Sequence, residues 1–281
     1  MVIIFIAFVY PFVYSILASL MTIKEFSGYG TLFPWPREPT LLNYSFAFSM
    51  SGAIRPLLNS LLRSAWYSFA LGSMAVFCGY ALTRYNFKGK KWIIIGIVAA
   101  QVVPSVLTLI PSFLLVSRIP LVGGNNIFGF GGRGLINNPL MLYLPISWDS
   151  LLYVFLFMQT MKSYPTSFEE AAELDGCGFF QTLFRIVLPM NGPILAVITI
   201  NVALSIWNDW LRPFLYINKI ADSTITAWLA TMVANLQGFS NARDYPKIFT
   251  LSTLAVIPPF GIFLYFQKYI IQGLASVGIK G

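Results

Sequence analysis

The sequence Glu169-Glu170-Ala171-Ala172-Glu173-Leu174-Asp175-Gly176 is a polar, helix-forming island between apolar runs of membrane length. Four of its residues are acidic. A charged side chain at the centre of a bilayer costs about 2.5 to 3.5 kcal/mol even on insertion scales, so the island cannot lie among lipid tails. It is therefore predicted to lie in water, as a loop that meets a partner.

The composition around the island indicates a polytopic helical membrane protein. The 281 residues are 57% hydrophobic and only 10% charged, too apolar for a water-soluble globule of this length. There is no histidine, which removes the commonest metal ligand and the commonest general base. Cys78 and Cys177 lie in unlike segments and give neither a disulfide nor a metal-site signal. The net charge of +8 is spread over loops, which argues against nucleic-acid binding.

Six mostly apolar segments reach the length of about 20 residues that a spanning helix needs. The sequence therefore predicts an all-α integral membrane protein with six transmembrane helices, in one permease-sized domain over residues 1–281. The first segment has no basic start and no A-x-A cleavage site, which favours a retained helix over a signal peptide. The predicted spans are residues 2–21, 57–83, 91–116, 140–161, 193–217 and 248–271.

Charge in the connections predicts the orientation of the chain. Arg84, Lys88, Lys90 and Lys91 crowd one short connection that has no acid, which favours the cytoplasm for that loop. Both termini and the acidic island would then also be cytoplasmic. The outer connections carry basic residues too, but most of these lie in longer loops, where the charge bias is weaker.

Within the loop at residues 162–190, the sequence predicts two short helices joined by a turn. Thr166 with Glu169, or Ser167 with Glu170, matches the capping box of a helix start. Ala171 and Ala172 keep one face flat, and Gly176 supplies the turn. An apolar stripe then predicts a second helix that Pro189 limits; the stripe is Phe180, Leu183, Phe184 and Val187. An interfacial helix on lipid headgroups is the alternative, disfavoured because such helices are usually basic.

This loop resembles a known family motif. The pattern Glu170-Ala171-Ala172-x-x-Asp175-Gly176, with Ile186 and Leu188-Pro189 downstream, is similar to the EAA loop of bacterial ABC importer permeases. Three more stretches resemble the carbohydrate branch of that family, the maltose-type second permease subunit. They are Trp207-Asn208-Asp209-Trp210-Leu211-Arg212-Pro213, Phe266-Gln267-Lys268-Tyr269, and Gln272-Gly273-Leu274 with Val277-Gly278-Ile279-Lys280-Gly281.

The resemblance implies the type I ABC importer permease fold and a coupling role for the loop. In that family the EAA loop docks into a cleft of a cytoplasmic ATPase subunit, and closure of the ATPase dimer moves the helices. The residues that would couple to the ATPase here are Glu169, Glu170, Ala171, Ala172, Asp175 and Gly176. Cys177 departs from the family, in which a small alanine is usual.

The resemblance also implies which parts belong to partners. The tail at residues 272–281, with Gln272, Gly273 and Lys280, would reach between the two ATPase subunits; a frayed terminus is the alternative. ATP and Mg²⁺ would be bound by the partner ATPase, with no cofactor in this chain. The chain has no G-x-x-x-x-G-K-[ST] loop of its own to hold phosphates.

Polar residues in the spans are candidates for a translocation path, because such residues in membranes often mark function. In the fifth span these are Asn201, Ser205, Trp207, Asn208 and Asp209. Asp209 could instead form an ion pair with Arg212 at i, i+3 spacing and stabilise the outer end of the helix bundle. Asp149, Tyr153 and Gln159 in the fourth span are open to the same two interpretations.

Taken together, the residues and the resemblance predict a subunit of an ATP-driven carbohydrate importer in the bacterial inner membrane. Its implied partners are a second permease in a heterodimer, two ATPase subunits, an extracytoplasmic solute-binding protein, a carbohydrate and membrane lipid. The outer segments 123–134 and 218–247 are predicted to touch the binding protein. An ion-coupled secondary carrier is the alternative, and it would need intramembrane acids and repeated halves. A membrane enzyme is disfavoured by the lack of histidine and of a nucleophile with its base.

Overall fold

The computed structural model describes residues 2–28, 33–49, 53–144, 150–238 and 244–278, and side chains for slightly less of these ranges. Within the described residues the secondary structure is helical, with no strand, as the sequence predicts. The α-helices are α1 (Val2–Ser19), α2 (Ile23–Gly28), α3 (Leu42–Ser49), α4 (Ile54–Arg84), α5 (Lys90–Ala100), α6 (Leu109–Ser117), α7 (Leu151–Lys162), α8 (Ser167–Leu174), α9 (Phe179–Thr182), α10 (Leu188–Met190), α11 (Gly192–Asn208), α12 (Leu211–Tyr216), α13 (Ile225–Gly238) and α14 (Tyr245–Gly278).

Two helices in the described residues, α4 and α14, are by themselves long and apolar enough to cross a membrane. Two further spans are added if each of two bent helix pairs counts as one. The first pair is α5 with residues Ser105–Ser117, bent by 96°, and the second is Phe179–Met190 with α11, bent by 80°. Shorter apolar stretches with described side chains are Ile4–Ser19 of α1, Leu151–Lys162 and Ile225–Asn235 of α13.

Two of the predicted spans are not the continuous helices that the sequence led us to expect. The segment at 91–116 breaks after Ala100, because Pro104 disfavours helical backbone at the residue before it and has no N–H to donate. The segment at 193–217 ends as a helix at Asn208 and resumes at Leu211. In the fourth segment, 140–161, residues 145–149 lie outside the described residues, and α7 covers its second half.

The chain divides into two compact units. The first comprises Met1–Leu62, Asn137–Leu142 and Trp207–Ile262. Its main core contains Trp207, Trp228 and Leu251, which pack with Ala47 of α3. The Trp207 indole N–H donates to the carbonyl oxygen of Ala255 at 3.2 Å, which satisfies a donor that burial would otherwise leave unpaired.

The second unit comprises Arg63–Ile136, Tyr143–Ile206 and Phe263–Gly281. Its main core joins α4 to α7, to the segment after α9 and to α11. Its buried members are Tyr67, Leu71, Ala75, Val76, Tyr80, Phe157, Met161, Leu183, Val187, Ile198, Val202 and Ile206. The part of α4 from Tyr67 to Tyr80 therefore lies at the centre of this core. The acidic island belongs to the same unit.

Candidate functional site

The acidic island folds as the predicted first short helix and tight turn, but the second helical segment continues past Pro189 to Met190 and is not ended by that proline. The turn residue Gly176 has a φ of +79°, in the left-handed region that glycine adopts without steric cost. The N–H of Cys177 donates to the Ala172 carbonyl at 2.9 Å, and the N–H of Gly176 donates to the Glu173 carbonyl at 3.0 Å. These two bonds satisfy carbonyls at the end of α8 and fix the direction in which α9 leaves.

The predicted capping box at the start of α8 is wrong. Thr166 is the N-cap, but its side chain makes no capping hydrogen bond. Glu169 instead turns its carboxylate toward α4, where Oε1 lies 2.7 Å from Arg84 Nε. The Tyr80 hydroxyl donates to Glu169 Oε2 at 3.0 Å. A charge-assisted pair with the fixed guanidinium of Arg84 is stronger than a neutral cap, so tertiary contact overrides the local motif.

The island presents an outward surface of acids and apolar side chains. Among the predicted coupling residues, Glu170, Ala171, Asp175 and Gly176 are exposed. Ala172 is only 4% exposed and faces inward, so the two alanines do not share one flat outer face as we expected. The exposed apolar residues here are Phe168, Leu174, Phe179, Phe180 and Phe184, with Leu174 90% exposed. We call this exposed set, together with Glu170, Ala171, Asp175 and Gly176, the coupling knob.

After the coupling knob, the chain bends by 80° into the long helix α11. Leu183–Val187 forms a π-helical turn, a rare element that often occurs at functional sites. The buried side chain of Asn191 donates to the Val187 carbonyl at 2.8 Å and contacts Met161 Sδ at 3.0 Å. The Tyr164 hydroxyl donates to the Met190 carbonyl at 3.0 Å. These bonds hold the segment at the point where the chain turns into α11.

Sequence reasoning missed Arg84 and Tyr80 as members of this site. The sequence around Arg84 predicts only a basic cytoplasmic loop, and the sequence around Tyr80 predicts only an apolar span. One usable signal was present: Tyr80 and Arg84 are four residues apart, so they lie on the same face of a helix. The partner on α8 could not be inferred from that spacing.

The candidate path residues on α11 separate into two environments. Asn201, Ser205 and Asn208 are exposed at i, i+4 and i+7, which places them on one helix face. Trp207 is 1% exposed in the core of the first unit, so its predicted place on a path is wrong. Asp209 Oδ1 accepts a hydrogen bond at 3.3 Å from the N–H of Arg212, which satisfies one of the free N–H groups in the first turn of α12.

The predicted ATPase-contacting tail is only partly described. Gln272 and Gly273 lie in the backbone of α14, and Lys280 lies outside the described residues. Among the described residues, no group of three histidine, cysteine, aspartate or glutamate side chains could hold a metal ion.

The glycine-rich loop after α6 is compact and displays apolar side chains. The amide of Asn125 donates to the carbonyls of Ser117 and Ile119, each at 2.9 Å, and its oxygen accepts from the N–H of Gly132 at 2.9 Å. Around this buried amide, Ile127 and Phe128 are exposed. The loop therefore offers a preorganised apolar surface.

Comparison with known proteins identifies the family. Residues 71–276 match the family described as binding-protein-dependent transport system inner membrane component. The chain belongs to this family. It is an inner-membrane permease of a binding-protein-dependent ABC importer, a transport subunit and not an enzyme, with the type I permease fold.

Relatives of this permease are named as sugar transport permeases. It is 29% identical to the arabinooligosaccharides transport system permease protein AraQ of Halalkalibacterium halodurans, over 99% of this chain and 94% of that protein. It is 26% identical to the trehalose/maltose transport system permease protein MalG of Thermococcus litoralis, over 97% of this chain and 91% of the relative.

A solved structure shares the fold of this permease. A chain from the crystal structure of a bacterial ABC transporter that imports the acidic polysaccharide alginate superposes with a TM-score of 0.77 at 20% identity. The match covers 95% of this chain and 92% of that one.

Proposed function

We propose that this permease carries a sugar or oligosaccharide from an extracytoplasmic binding protein into the cytoplasm by alternating access. The relatives named for arabinooligosaccharides and for trehalose and maltose support a carbohydrate as the transported solute. The proposed assembly contains a second permease subunit, two ATPase subunits that bind ATP and Mg²⁺, and the binding protein. The exposed polar face of α11, with Asn201, Ser205 and Asn208, is our candidate for the path.

The observation that carries the proposal is the coupling knob. A surface of exposed aromatic and leucine side chains next to carboxylates is costly in water unless a partner covers it. A basic cleft on a cytoplasmic ATPase subunit would match both its apolar residues and its acids, Glu170 and Asp175. The tail with Gln272, Gly273 and Lys280 is proposed as a second contact with the ATPase.

The proposed orientation places the coupling knob and both termini in the cytoplasm. The 2.7 Å contact of Arg84 with Glu169 supports this, because it requires the basic end of α4 and the acidic island to lie on the same side of the membrane. The excess of Lys and Arg after α4 then favours the cytoplasmic side for both.

Uptake into proteoliposomes that contain the whole complex tests this function. We expect [¹⁴C]arabinotriose or [¹⁴C]maltotriose to accumulate with enclosed Mg-ATP and binding protein, and not with a non-hydrolysable ATP analogue. Uptake driven by an ion gradient without nucleotide would overturn the proposal in favour of a secondary carrier.

The orientation has its own test. In a variant with Cys78→Ser and Cys177→Ser, the further substitution Glu170→Cys should give a side chain that reacts with an impermeant maleimide only in inside-out vesicles. Labelling from the external side would overturn the proposed orientation, and with it the docking of a cytoplasmic ATPase on the coupling knob.

A further inference from the structure

We propose that Arg84 and Glu169 form a latch that makes α4 move with the coupling helix α8 when the ATPase closes. The inference rests on the proposed function and adds to it a pair of positioning residues. Neither residue is assigned contact with the solute or with nucleotide. Their role is to transmit a displacement of the coupling knob to the core of the second unit.

The latch joins three parts of the chain through one guanidinium and one carboxylate. Arg84 Nε donates to Glu169 Oε1 at 2.7 Å, and Arg84 Nη2 donates to the carbonyl of Tyr164 at 3.2 Å. Glu169 Oε2 accepts from the Tyr80 hydroxyl at 3.0 Å. Both carboxylate oxygens of Glu169 therefore accept hydrogen bonds from side chains of α4. Arg84 also donates to the connection that precedes α8.

The environment of the pair makes it stronger than a surface ion pair. The side chains of Arg84 and Glu169 are 12% and 14% exposed, so the attraction is screened far less by salt than that between exposed charges. Arg84 lies in the last turn of α4, where the helix dipole favours a cation. Lys90 Nζ donates to the Tyr85 carbonyl at 3.0 Å, just beyond the same helix end.

Helix α8 has little else to fasten it to α4. It has eight residues, too few to be stable as an isolated helix. Its buried residue is Ala172, which offers only a methyl group for packing. The ion pair and the Tyr80 hydrogen bond therefore decide how rigidly α8 follows α4.

At the other end of the latch, α4 is firmly packed. Tyr80 belongs to the core in which α4 meets Phe157, Leu183 and Ile198. The ring of Tyr80 also lies 5.6 Å from that of Phe179, the first residue of α9. A displacement of α8 that is transmitted to Arg84 therefore moves α4 together with the helices packed against it, because their side chains interdigitate.

The latch can be tested separately from docking because its side chains face away from the coupling knob. Glu169 points inward, whereas the next residue, Glu170, is exposed. Glu169→Gln keeps the shape of the side chain and can still accept from Tyr80, but it removes the charge that holds Arg84. It should leave the docking surface unaltered.

The experiment uses Cys78 of α4 as a built-in reporter in the reconstituted complex. Cys177→Ala and cysteine-free partner subunits leave Cys78, which is exposed, as the labelling site for bimane. We expect Mg-ATP with vanadate to change the bimane fluorescence in the reference complex. The fluorescence change per molecule of trapped nucleotide should be smaller by on the order of tenfold in Glu169→Gln and in Arg84→Met. This is the size expected for the loss of a charge-assisted bond.

Rescue and control variants separate transmission from general damage. The exchange Arg84→Glu with Glu169→Arg should recover much of the fluorescence change, because it restores opposite charges. Lys88→Gln removes an exposed cation from the same loop and should match the reference complex. ATPase subunits should copurify with every one of these variants at reference amounts.

Three results would overturn the latch while leaving the proposed function intact. The first is a fluorescence change in Glu169→Gln within about twofold of that in the reference complex. The second is failure of the ATPase subunits to copurify with that variant. The third is a reference complex that hydrolyses ATP but shows no fluorescence change when nucleotide is added. If the charge variants fail to accumulate, Glu169→Asp decides, because it keeps the negative charge but shortens the reach of the carboxylate toward Arg84, and a reference signal from it would overturn the proposal. A reference complex with no ATPase activity would contradict the proposed function itself.

Discussion

Gly79 of α4 packs so closely against Phe157 of α7 that a methyl group added at Gly79 would lie 2.9 Å from Phe157 Cδ1. The same methyl group would lie 3.2 Å from the Val154 carbonyl oxygen. Small residues let helices in membranes approach closely enough for backbone contact. Glycine at this position therefore sets the spacing of the two helices behind the latch.

Gly79→Ala is expected to destabilise the subunit. The added methyl group meets backbone that cannot rotate away, so overpacking should cost about 1 to 3 kcal/mol. Gly72→Ala on the same helix is the matched control, because nothing lies within 4 Å of its added methyl group. The control should be neutral or gain up to about 1 kcal/mol from helix propensity. Thermal unfolding in detergent measures both, and equal stability of the two variants would contradict the close contact.

Gly176→Ala should weaken retention of the ATPase. Its φ of +79° costs an L-residue about 1 to 2 kcal/mol, so α9 should leave α8 in a changed direction. Gly178→Ala is the control, since Gly178 has a φ of −79° that alanine adopts readily. Copurification of the ATPase with each inserted variant provides the measurement. Full retention by Gly176→Ala would show that the turn geometry is not needed for docking.

Glu170→Lys should give a folded, inserted subunit that fails to hold its ATPase. Glu170 is exposed on the coupling knob, so reversal of its charge alters docking without disturbing a core. Glu38→Lys makes the same charge change at another exposed position and should retain the ATPase. A pull-down with tagged ATPase compares the two, and intact capture by Glu170→Lys would count against the coupling knob.

Trp207 and Asn201 should respond to alanine substitution in opposite ways. Trp207→Ala empties a buried site and loses the bond to Ala255, so it should cost about 3 to 5 kcal/mol of stability. Asn201 is exposed and donates to Val197 within its own helix at 2.9 Å, so Asn201→Ala should leave stability within about 0.5 kcal/mol. If α11 lines the path, Asn201→Ala should nevertheless lower uptake in proteoliposomes. Unchanged uptake would remove Asn201 from the path.

Phe128→Ala should reduce stimulation of the ATPase by the binding protein. The exposed ring of Phe128 is displayed by a loop that Asn125 holds through three hydrogen bonds, so its loss removes contact area without altering the loop. Leu115→Ala, which removes an exposed apolar side chain from the neighbouring helix α6, is the control. If deletion of residues 124–132 also left stimulation unchanged, this loop would have no part in docking.

Several elements follow from local sequence alone. The acidic island had to leave the membrane because of its charge, and Gly176 had to form the turn because left-handed backbone favours glycine. The helical class followed from the apolar runs. The EAA pattern around Glu170 was sufficient to indicate the family that the comparisons then confirmed.

Other features depended on packing between residues far apart in the chain. Arg84 and Glu169 are separated by 85 positions, and nothing in the spacing of either helix joins them. The same pairing removed Glu169 from its expected capping role. Likewise, the polar neighbours of Trp207 in the sequence predict a path residue, whereas its side chain is buried in the core of the first unit.

The sequence by itself determined that this chain is a helical membrane subunit with an acidic loop between its apolar segments, because charge and apolar length act locally and independently of the fold. Only the tertiary structure decided which side of α8 faces outward, where the helices bend, and which acid is anchored to α4. Those outcomes depend on which distant surfaces meet, and the free energy of such contacts is not encoded in the spacing of any one segment.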